Sequence, residues 1–199
     1  MRNKMEYFDV LYAQNDDPWD YENRWYEERK RNICLAVLLK PMYQNVLEIG
    51  CSNGTFSRHL ALRSKRLLCI DGNEKACDLA KLKLNDFNHV EVLQNVIPEQ
   101  FPDEKFDLIV IGEVLYYLNY DELIQLIEKI HQSLNKDGMI LSCHWRYPID
   151  EFLLNGDAVH QVLTENLKLN HYLSLKDPDF IVDLWTMDTL TLANQEGLI

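Results

Sequence analysis

The sequence predicts an α/β fold in which a doubly wound, mostly parallel sheet of seven strands carries helices on both faces. Between residues 46 and 139, short apolar runs alternate with amphipathic stretches, as in successive βα units. The first run leads into a glycine-containing turn and then a helix. Two later apolar runs flank Lys176-Asp177-Pro178-Asp179, which is typical of an antiparallel hairpin that closes the sheet.

The first five strands are predicted from apolar runs at residues 46–49, 66–71, 90–94, 106–111 and 138–144. Residues 55–63, 74–84 and 120–134 place apolar side chains at helical intervals and should form the crossover helices. Lys136-Asp137-Gly138 should separate the last of these helices from the fifth strand, with Gly138 in a left-handed cap. A further helix should begin near Gly156 with Asp157 as its cap, before hairpin runs at 169–175 and 180–185.

The chain has 199 residues, 47% of them hydrophobic, which suits one domain with one core. We expect a helical, aromatic-rich segment at 1–40, the sheet core at 41–145, and a C-terminal helix and hairpin at 146–199. No apolar run approaches the roughly 20 residues that span a bilayer, and Glu6 and Asp9 interrupt any signal-peptide core. We therefore expect a cytoplasmic protein without a membrane partner.

The net charge and the spacing of the cysteines limit the kinds of partner and metal site that we expect. A net charge of −12 repels phosphate backbones, so no nucleic-acid partner is expected. The five cysteines show neither CxxC nor Cys/His ligand spacing, which predicts reduced buried thiols and no metal site.

The first turn, residues 46–54 (VLEIGCSNG), is the strongest chemical signal. Gly50 and Gly54 permit close approach of a ligand to the backbone. The turn lacks the Lys-Ser/Thr of a P-loop, and Ser52 occupies the second glycine position of a dinucleotide motif. Glu48 also disfavours a pyrophosphate and suits the ammonium of S-adenosylmethionine better. The alternative is an ordinary turn without a ligand.

Polar residues end the next two strands. Asp71, 21 residues after Gly50, can accept hydrogen bonds from both hydroxyls of a ribose. Asn95 and Val96 follow the third strand, where a side chain and a main-chain amide could contact an adenine edge. Asn95 could equally be a turn residue.

The fourth and fifth strands end in candidate catalytic residues. Glu113 and Tyr116 should point into the crevice at the carboxyl edge of the sheet, although Tyr116 or Tyr117 could simply be core. His144 lies beside Trp145 and Arg146 at the end of the fifth strand, and either a functional or a packing role fits it.

Taken together, these residues resemble the class I S-adenosylmethionine-dependent methyltransferases, and among them the nodulation N-methyltransferase (NodS-like) family. The general resemblance covers residues 46–144, and the narrower one covers nearly the whole chain. The narrower resemblance rests on residues 17–19 (DPW), 25–30 (WYEERK), 48–54 (EIGCSNG), 112–117 (GEVLYY), 144–148 (HWRYP) and 156–160 (GDAVH).

The resemblance implies transfer of a methyl group to the free amine of a sugar, such as the deacetylated end of a chitin-like oligosaccharide. S-adenosyl-L-methionine is then the cofactor and S-adenosyl-L-homocysteine the product, and the N-terminal helices form a lid over the cofactor. The resemblance implies cofactor binding by Glu48 and Gly50 at the methionine end, Asp71 on the ribose, Asn95 and Val96 at the adenine, and Trp19, Tyr26 and Lys30 in the lid. Cys51, Gly54, Gly72 and Glu113 are further implied cofactor-binding residues.

An attacking amine must be neutral, because an ammonium has no lone pair. His144 or Glu113 is therefore predicted as the group that receives or orients its proton, with His160 as a further candidate. Three alternatives stay open: a methyltransferase for another small molecule, a dehydrogenase, and a cofactor-binding module without turnover. The missing G-x-G-x-x-G argues against the dehydrogenase. The partner should be a small molecule or oligosaccharide, and the chain a monomer or homodimer.

Overall fold

The structure is a computed structural model that describes residues 4–199. Its strands are β1 (Val46–Ile49), β2 (Leu67–Asp71), β3 (Val90–Gln94), β4 (Phe106–Gly112), β5 (Leu134–Trp145), β6 (Asn170–Lys176) and β7 (Phe180–Thr186). Its helices are α1 (Lys4–Gln14), α2 (Trp25–Ala36), α3 (Thr55–Ala61), α4 (Glu74–Lys83), α5 (Tyr120–Ser133), α6 (Gly156–Asn166) and α7 (Leu192–Gln195), with a 3-10 turn at Leu115–Tyr117.

The strands form one sheet in the order β3-β2-β1-β4-β5-β7-β6. Strands β1 to β5 are parallel, and β7 pairs antiparallel with both β5 and β6. The predicted doubly wound, Rossmann-like sheet of seven mostly parallel strands is confirmed. Strand order reverses between β1 and β4, and ligands of such sheets bind outside the carboxyl ends of the strands at this point.

The core lies on both faces of the sheet because its central strands are apolar throughout. Every residue of β1 is buried, as are the first six of β4. On one face α5 packs its buried stripe of Leu123, Leu126, Ile127 and Ile130. A capping box between Asn119 and Glu122 begins this helix.

Two local predictions were wrong. Strand β5 begins at Leu134, directly after α5, and the residues predicted to separate them form an irregularity inside the strand. Gly138 does not have a left-handed backbone conformation there. A glycine is needed at this position because an added Cβ would lie 2.9 Å from the carbonyl oxygen of Asn135. Helix α6 is capped by Asn155, whose Oδ1 accepts the Ala158 amide at 2.9 Å, and not by Asp157. The Asp157 carboxylate instead accepts from Arg146 Nε at 3.0 Å.

The N-terminal helices cover the carboxyl edge of the sheet. Tyr7 and Phe8 of α1 pack on Tyr117, with ring centroids 5.8 and 4.7 Å apart. Residues 1–3 of the predicted lid lie outside the described residues. Within the described residues, all five cysteines are buried and free, and no helix is long and apolar enough to cross a bilayer.

Candidate functional site

A cavity of about 500 Å³ opens at the point where the strand order reverses. The carboxyl ends of β1, β2 and β4 form its floor, and side chains of α1, α2 and the segment between them form its roof. Its size lies within the range of sites for small molecules and cofactors. Most of the predicted cofactor residues line it: Trp19, Tyr26, Lys30, Gly50, Asp71, Gly72, Asn95, Val96 and Glu113.

The floor is built by Gly50 and Asp71. Gly50 has φ +79°, and a Cβ there would lie 3.1 Å from Val114 Cβ, so only glycine fits. The two carboxylate oxygens of Asp71 accept the amides of Ser52 and Asn73, both at 2.9 Å. Burial raises the pKa of Asp71, although these hydrogen bonds oppose the shift. A carboxylate held in this way gains from further hydroxyl donors such as those of a ribose.

At the far end of the floor, Asn95 and Val96 follow β3. Asn95 Nδ2 donates to the carbonyl oxygen of Gln100 at 2.7 Å, and the Val96 amide donates to Gln100 Oε1 at 2.7 Å. These hydrogen bonds are those expected if Asn95 is a turn residue. Both residues still line the cavity, and the Val96 amide can reach a ligand only if the Gln100 side chain moves away.

An ion cluster joins the roof to the sheet. Lys30 Nζ lies 2.6 Å from Glu113 Oε1 and 3.1 Å from Glu27 Oε2, and all three side chains are largely buried. Glu113 Oε2 also accepts from Tyr116 Oη and from the Trp145 amide, both at 2.7 Å. Burial alone would lower the pKa of Lys30, but Glu113 and its other acidic neighbours raise it well above its usual value. The cluster therefore has two carboxylates and one ammonium.

The roof also holds aromatic residues whose contacts the sequence does not reveal. Tyr12 Oη shares a hydrogen bond of 2.6 Å with Ser52 Oγ, which ties α1 to the first turn. Trp19 packs against Tyr12 and Tyr21. Tyr26 Oη is buried and has no hydrogen-bond partner among residues 4–199. Aromatic clustering in the N-terminal segment is the only sequence signal for these positions.

A smaller cavity of about 70 Å³ adjoins the main one and shares Gly50, Ser52 and Glu113 with it. Glu48, predicted at the methionine end, and Cys51, predicted to bind the cofactor, line this smaller cavity. So does Arg31, which the sequence analysis missed. Arg31 Nη1 donates to the Tyr21 carbonyl at 2.6 Å, while its buried Nε has no partner in the described part of the chain.

The burial of the Glu48 carboxyl group predicts that the free energy of unfolding depends on pH. Burial raises its pKa to about 7, so the folded chain favours the protonated form. That contribution is complete below about pH 4.5 and is lost as the pH rises through 7, at a cost of up to about 3 kcal/mol. Because burial also raises the pKa of Asp71 and of Glu27, we expect urea titration of Glu48→Gln across this range to show a smaller decline in the free energy of unfolding than the wild-type decline. The exposed variant Glu128→Gln should keep it. Parallel profiles for all three proteins would contradict the assignment.

Two predicted site residues lie elsewhere. Gly54 lines neither cavity; an added Cβ would lie 3.0 Å from Ala80 Cα, so this glycine permits the close packing of α3 on α4. The His144 side chain is fully buried and also lines neither cavity. Its Nε2 accepts the Leu115 amide at 3.2 Å. Because side chains alternate across a strand, His144 points away from the two cavities, while its neighbours Cys143 and Trp145 line them. The prediction that it meets the acceptor's proton is wrong.

The donor set suits S-adenosylmethionine. Arg31 lines the smaller cavity, and a guanidinium matches the carboxylate of an amino acid. Asp71 matches ribose hydroxyls, and an added Cβ at Gly112 would meet open space between the two cavities. The acidic excess around Lys30 matches a cationic ligand.

Comparison with known proteins agrees with this architecture. The chain is 35% identical over 104 residues to Nodulation protein S of Rhizobium tropici, covering 52% of this chain and 44% of that protein. It thus spans about half the length of the first nodulation proteins that it matches. It is 27% identical over 195 residues to an uncharacterized methyltransferase of Alkaliphilus oremlandii, covering 94% and 88% of the two chains.

Among solved structures, it resembles the N-methyltransferase NodS of Bradyrhizobium japonicum in complex with S-adenosylhomocysteine. The TM-score is 0.83 at 27% identity, over 93% of this chain and 98% of that one. The family model described as Nodulation protein S (NodS) matches residues 8–152. This match takes in the floor, the Glu113 cluster and the roof from Phe8 onward. The chain therefore belongs to the nodulation protein S family, within the fold of the S-adenosylmethionine-dependent methyltransferases.

Proposed function

We propose that this chain is an N-methyltransferase that moves a methyl group from S-adenosylmethionine to the free amine of an amino sugar or oligosaccharide. The observation that carries the proposal is one cavity that runs from the floor at Gly50 and Asp71 to an acidic wall formed by Glu27 and Glu113. The similar protein of Bradyrhizobium japonicum is an N-methyltransferase solved with S-adenosylhomocysteine, which supports both the cofactor and nitrogen as the acceptor atom.

In this proposal the cofactor supplies an electrophilic methyl carbon, and the chain's residues position the two reactants. Asp71 would hold the ribose by accepting hydrogen bonds from its hydroxyls, and Arg31 would hold the carboxylate of the methionine end. Tyr12 keeps the first turn in place through Ser52. The aromatic roof excludes water, which leaves proximity and orientation as the main contributions to rate.

The acidic wall acts on the acceptor amine. Glu113 uses both oxygens on Lys30, Tyr116 and the Trp145 amide, so it shapes the wall and contributes charge instead of serving as a free base. Glu27 also lines the cavity; its two oxygens lie 3.2 and 3.1 Å from Lys30 Nζ, a single shared donor where Glu113 has three, and burial raises its pKa. A carboxylate with a raised pKa is suited to take a proton, and we assign the proton of the incoming ammonium to Glu27.

Arg31 allows a test of the cofactor's orientation. Arg31→Met should weaken S-adenosylhomocysteine binding by roughly 10- to 100-fold, because a charge-assisted contact to a carboxylate is lost. Binding of 5′-methylthioadenosine, which lacks the amino-acid end, should stay within about twofold. Arg29→Met, on the same helix but paired with Asp177, is the matched control. Titration calorimetry measures all three proteins, and equal losses for both ligands would refute this orientation.

The acceptor is tested with a matched pair of oligosaccharides. We expect S-adenosylhomocysteine release and a product heavier by one methylene when a chitin oligosaccharide carries a free terminal amine. The fully N-acetylated form should give neither, because its amide nitrogen is not nucleophilic. Turnover of other small amines but not of the sugar would favour the second candidate, a methyltransferase for another small molecule. Cofactor binding without turnover on any amine would refute the enzymatic proposal.

A further inference from the structure

A line of buried polar side chains runs behind the acidic wall, on the side away from the cavity. It begins at His171 of β6, passes through Asp183 of β7 and His160 of α6, and ends at His144 of β5. His171 Nε2 lies 2.9 Å from Asp183 Oδ1, and His160 Nδ1 lies 2.5 Å from Asp183 Oδ2. His144 Nδ1 lies 3.0 Å from His160 Nε2. Except for His171, these side chains are almost inaccessible to solvent.

The contacts determine which nitrogen carries each proton. The Leu115 amide can only donate, so His144 Nε2 accepts at 3.2 Å and the proton of His144 is on Nδ1. That Nδ1–H faces His160 Nε2, which must then accept, and the proton of His160 is on Nδ1, facing Asp183. Ser142 Oγ also lies 3.2 Å from His144 Nδ1, and its hydroxyl oxygen can accept from the same proton. These bonds are satisfied with the imidazoles of His144 and His160 neutral and Asp183 ionised. Burial lowers the pKa of His144, and the His160 bond keeps the pKa of Asp183 low against the effect of burial.

The inner end of this line meets the turn that builds the acidic wall. Glu113 has φ +56°, a strained conformation for a residue other than glycine. Strand β5 holds it from both sides of His144: the Glu113 amide donates to the Cys143 carbonyl at 2.9 Å, and its carboxylate accepts the Trp145 amide. The His144 side chain holds the next part of the turn through Leu115. Without that acceptor, the buried Leu115 amide would be unsatisfied.

We propose that His144 is a positioning residue, and that Asp183 and His160 set its tautomer so that its Nε2 holds the Leu115–Tyr117 turn against the cavity. The turn then presents Glu113 and Tyr116 in the geometry that methyl transfer needs. This second step rests on the proposed function; the tautomer and the hydrogen bond to Leu115 do not. This role differs from that of a general base, because His144 Nε2 already accepts a hydrogen bond from the Leu115 amide.

The tautomers are tested first, on the wild-type protein labelled with ¹⁵N-histidine. Long-range ¹H–¹⁵N spectra at neutral pH should show His144 and His160 as neutral rings protonated at Nδ1. A His144 ring protonated at Nε2, or a charged ring, would overturn the proposal. This measurement requires no substrate.

Two variants then separate positioning from other roles. In His144→Gln, the amide oxygen reaches the place of Nε2 and can accept from Leu115; in His144→Asn, the shorter side chain reaches only the place of Nδ1. We expect the Leu115 amide to exchange with solvent about 10- to 100-fold faster in His144→Asn, and kcat to fall by a similar factor. His144→Gln should stay within about threefold of the wild type in both quantities, and the cofactor Kd should change less than about twofold in either variant.

Equal losses of kcat in the two variants, or unchanged Leu115 exchange in His144→Asn, would overturn the positioning role. If the wild type binds cofactor and methylates no amine, the proposed function fails, and the exchange rates and spectra alone decide the hydrogen-bonded line. The two failures are therefore distinguishable.

Discussion

Replacing Asp71 with alanine should weaken S-adenosylhomocysteine binding by at least about 100-fold, as measured by titration calorimetry. The substitution removes the carboxylate that we propose as the acceptor for the ribose hydroxyls, and the amides of Ser52 and Asn73 lose their acceptors at the same time. The first turn should therefore shift away from the position that the cofactor needs.

Asp71→Asn keeps the shape of the side chain and one accepting oxygen, so its affinity should be intermediate. Asp86→Asn, at an exposed position, should bind as the wild type does. Wild-type affinity in Asp71→Ala would show that the cofactor does not use this end of β2. Loss of affinity together with a matching loss of secondary structure would show only that the fold had failed, which circular dichroism distinguishes.

Lys30→Met should give the largest loss of stability, roughly 3–5 kcal/mol in the free energy of unfolding, because Glu27 and Glu113 are left buried without a counter-ion. The double variant Lys30→Met/Glu113→Gln should recover part of this loss, because one uncompensated charge is removed. Denaturant titration measures both. Lys81→Met, which breaks an exposed pair with Asp78, should cost less than about 0.5 kcal/mol. Similar values for Lys30→Met and Lys81→Met would contradict the buried-cluster interpretation.

The pH dependence of this loss follows from the direction of the pKa shift. The folded pKa of Lys30 lies above that of an unfolded lysine, so its contribution is complete below the unfolded value and is lost only as the pH rises through the folded one. The contribution of Lys30 itself should therefore not change between about pH 6 and pH 9. A decline within that range would show that the ammonium is not paired as described.

Strand positions were predictable because they depend on local sequence. The run at residues 90–94 coincides with β3, and the run at 106–111 falls one residue short of β4. Central parallel strands are buried on both faces and therefore read as continuous apolar runs. Helix ends were less predictable, since Asn155 and Asp157 are equally good caps by composition and differ only in where the chain turns.

Part of the candidate site could be predicted for a topological reason. Carboxyl ends of parallel strands meet at one edge of the sheet, so Gly50, Asp71 and Glu113 had to lie near one another once the βα alternation was recognised. The contacts of the roof could not be predicted in this way. Lys30 and Glu113 are 83 residues apart, and Tyr12 and Ser52 are 40 apart. No periodicity relates such pairs.

The sequence by itself determined the sheet, its carboxyl edge and the acid at the end of β2, because apolar periodicity and strand ends are local properties. Only the tertiary structure decided the direction of individual side chains. His144 lies near the end of β5 and Glu113 directly after β4, yet the first points into the core and the second lines the cavity. Lys30 and Arg31 are neighbours on one helix. Lys30 is neutralised by carboxylates, whereas Arg31 has one donor, Nε, without a partner among the described residues. These differences depend on which long-range partner packs against each residue, and such partners exist only once the chain has folded.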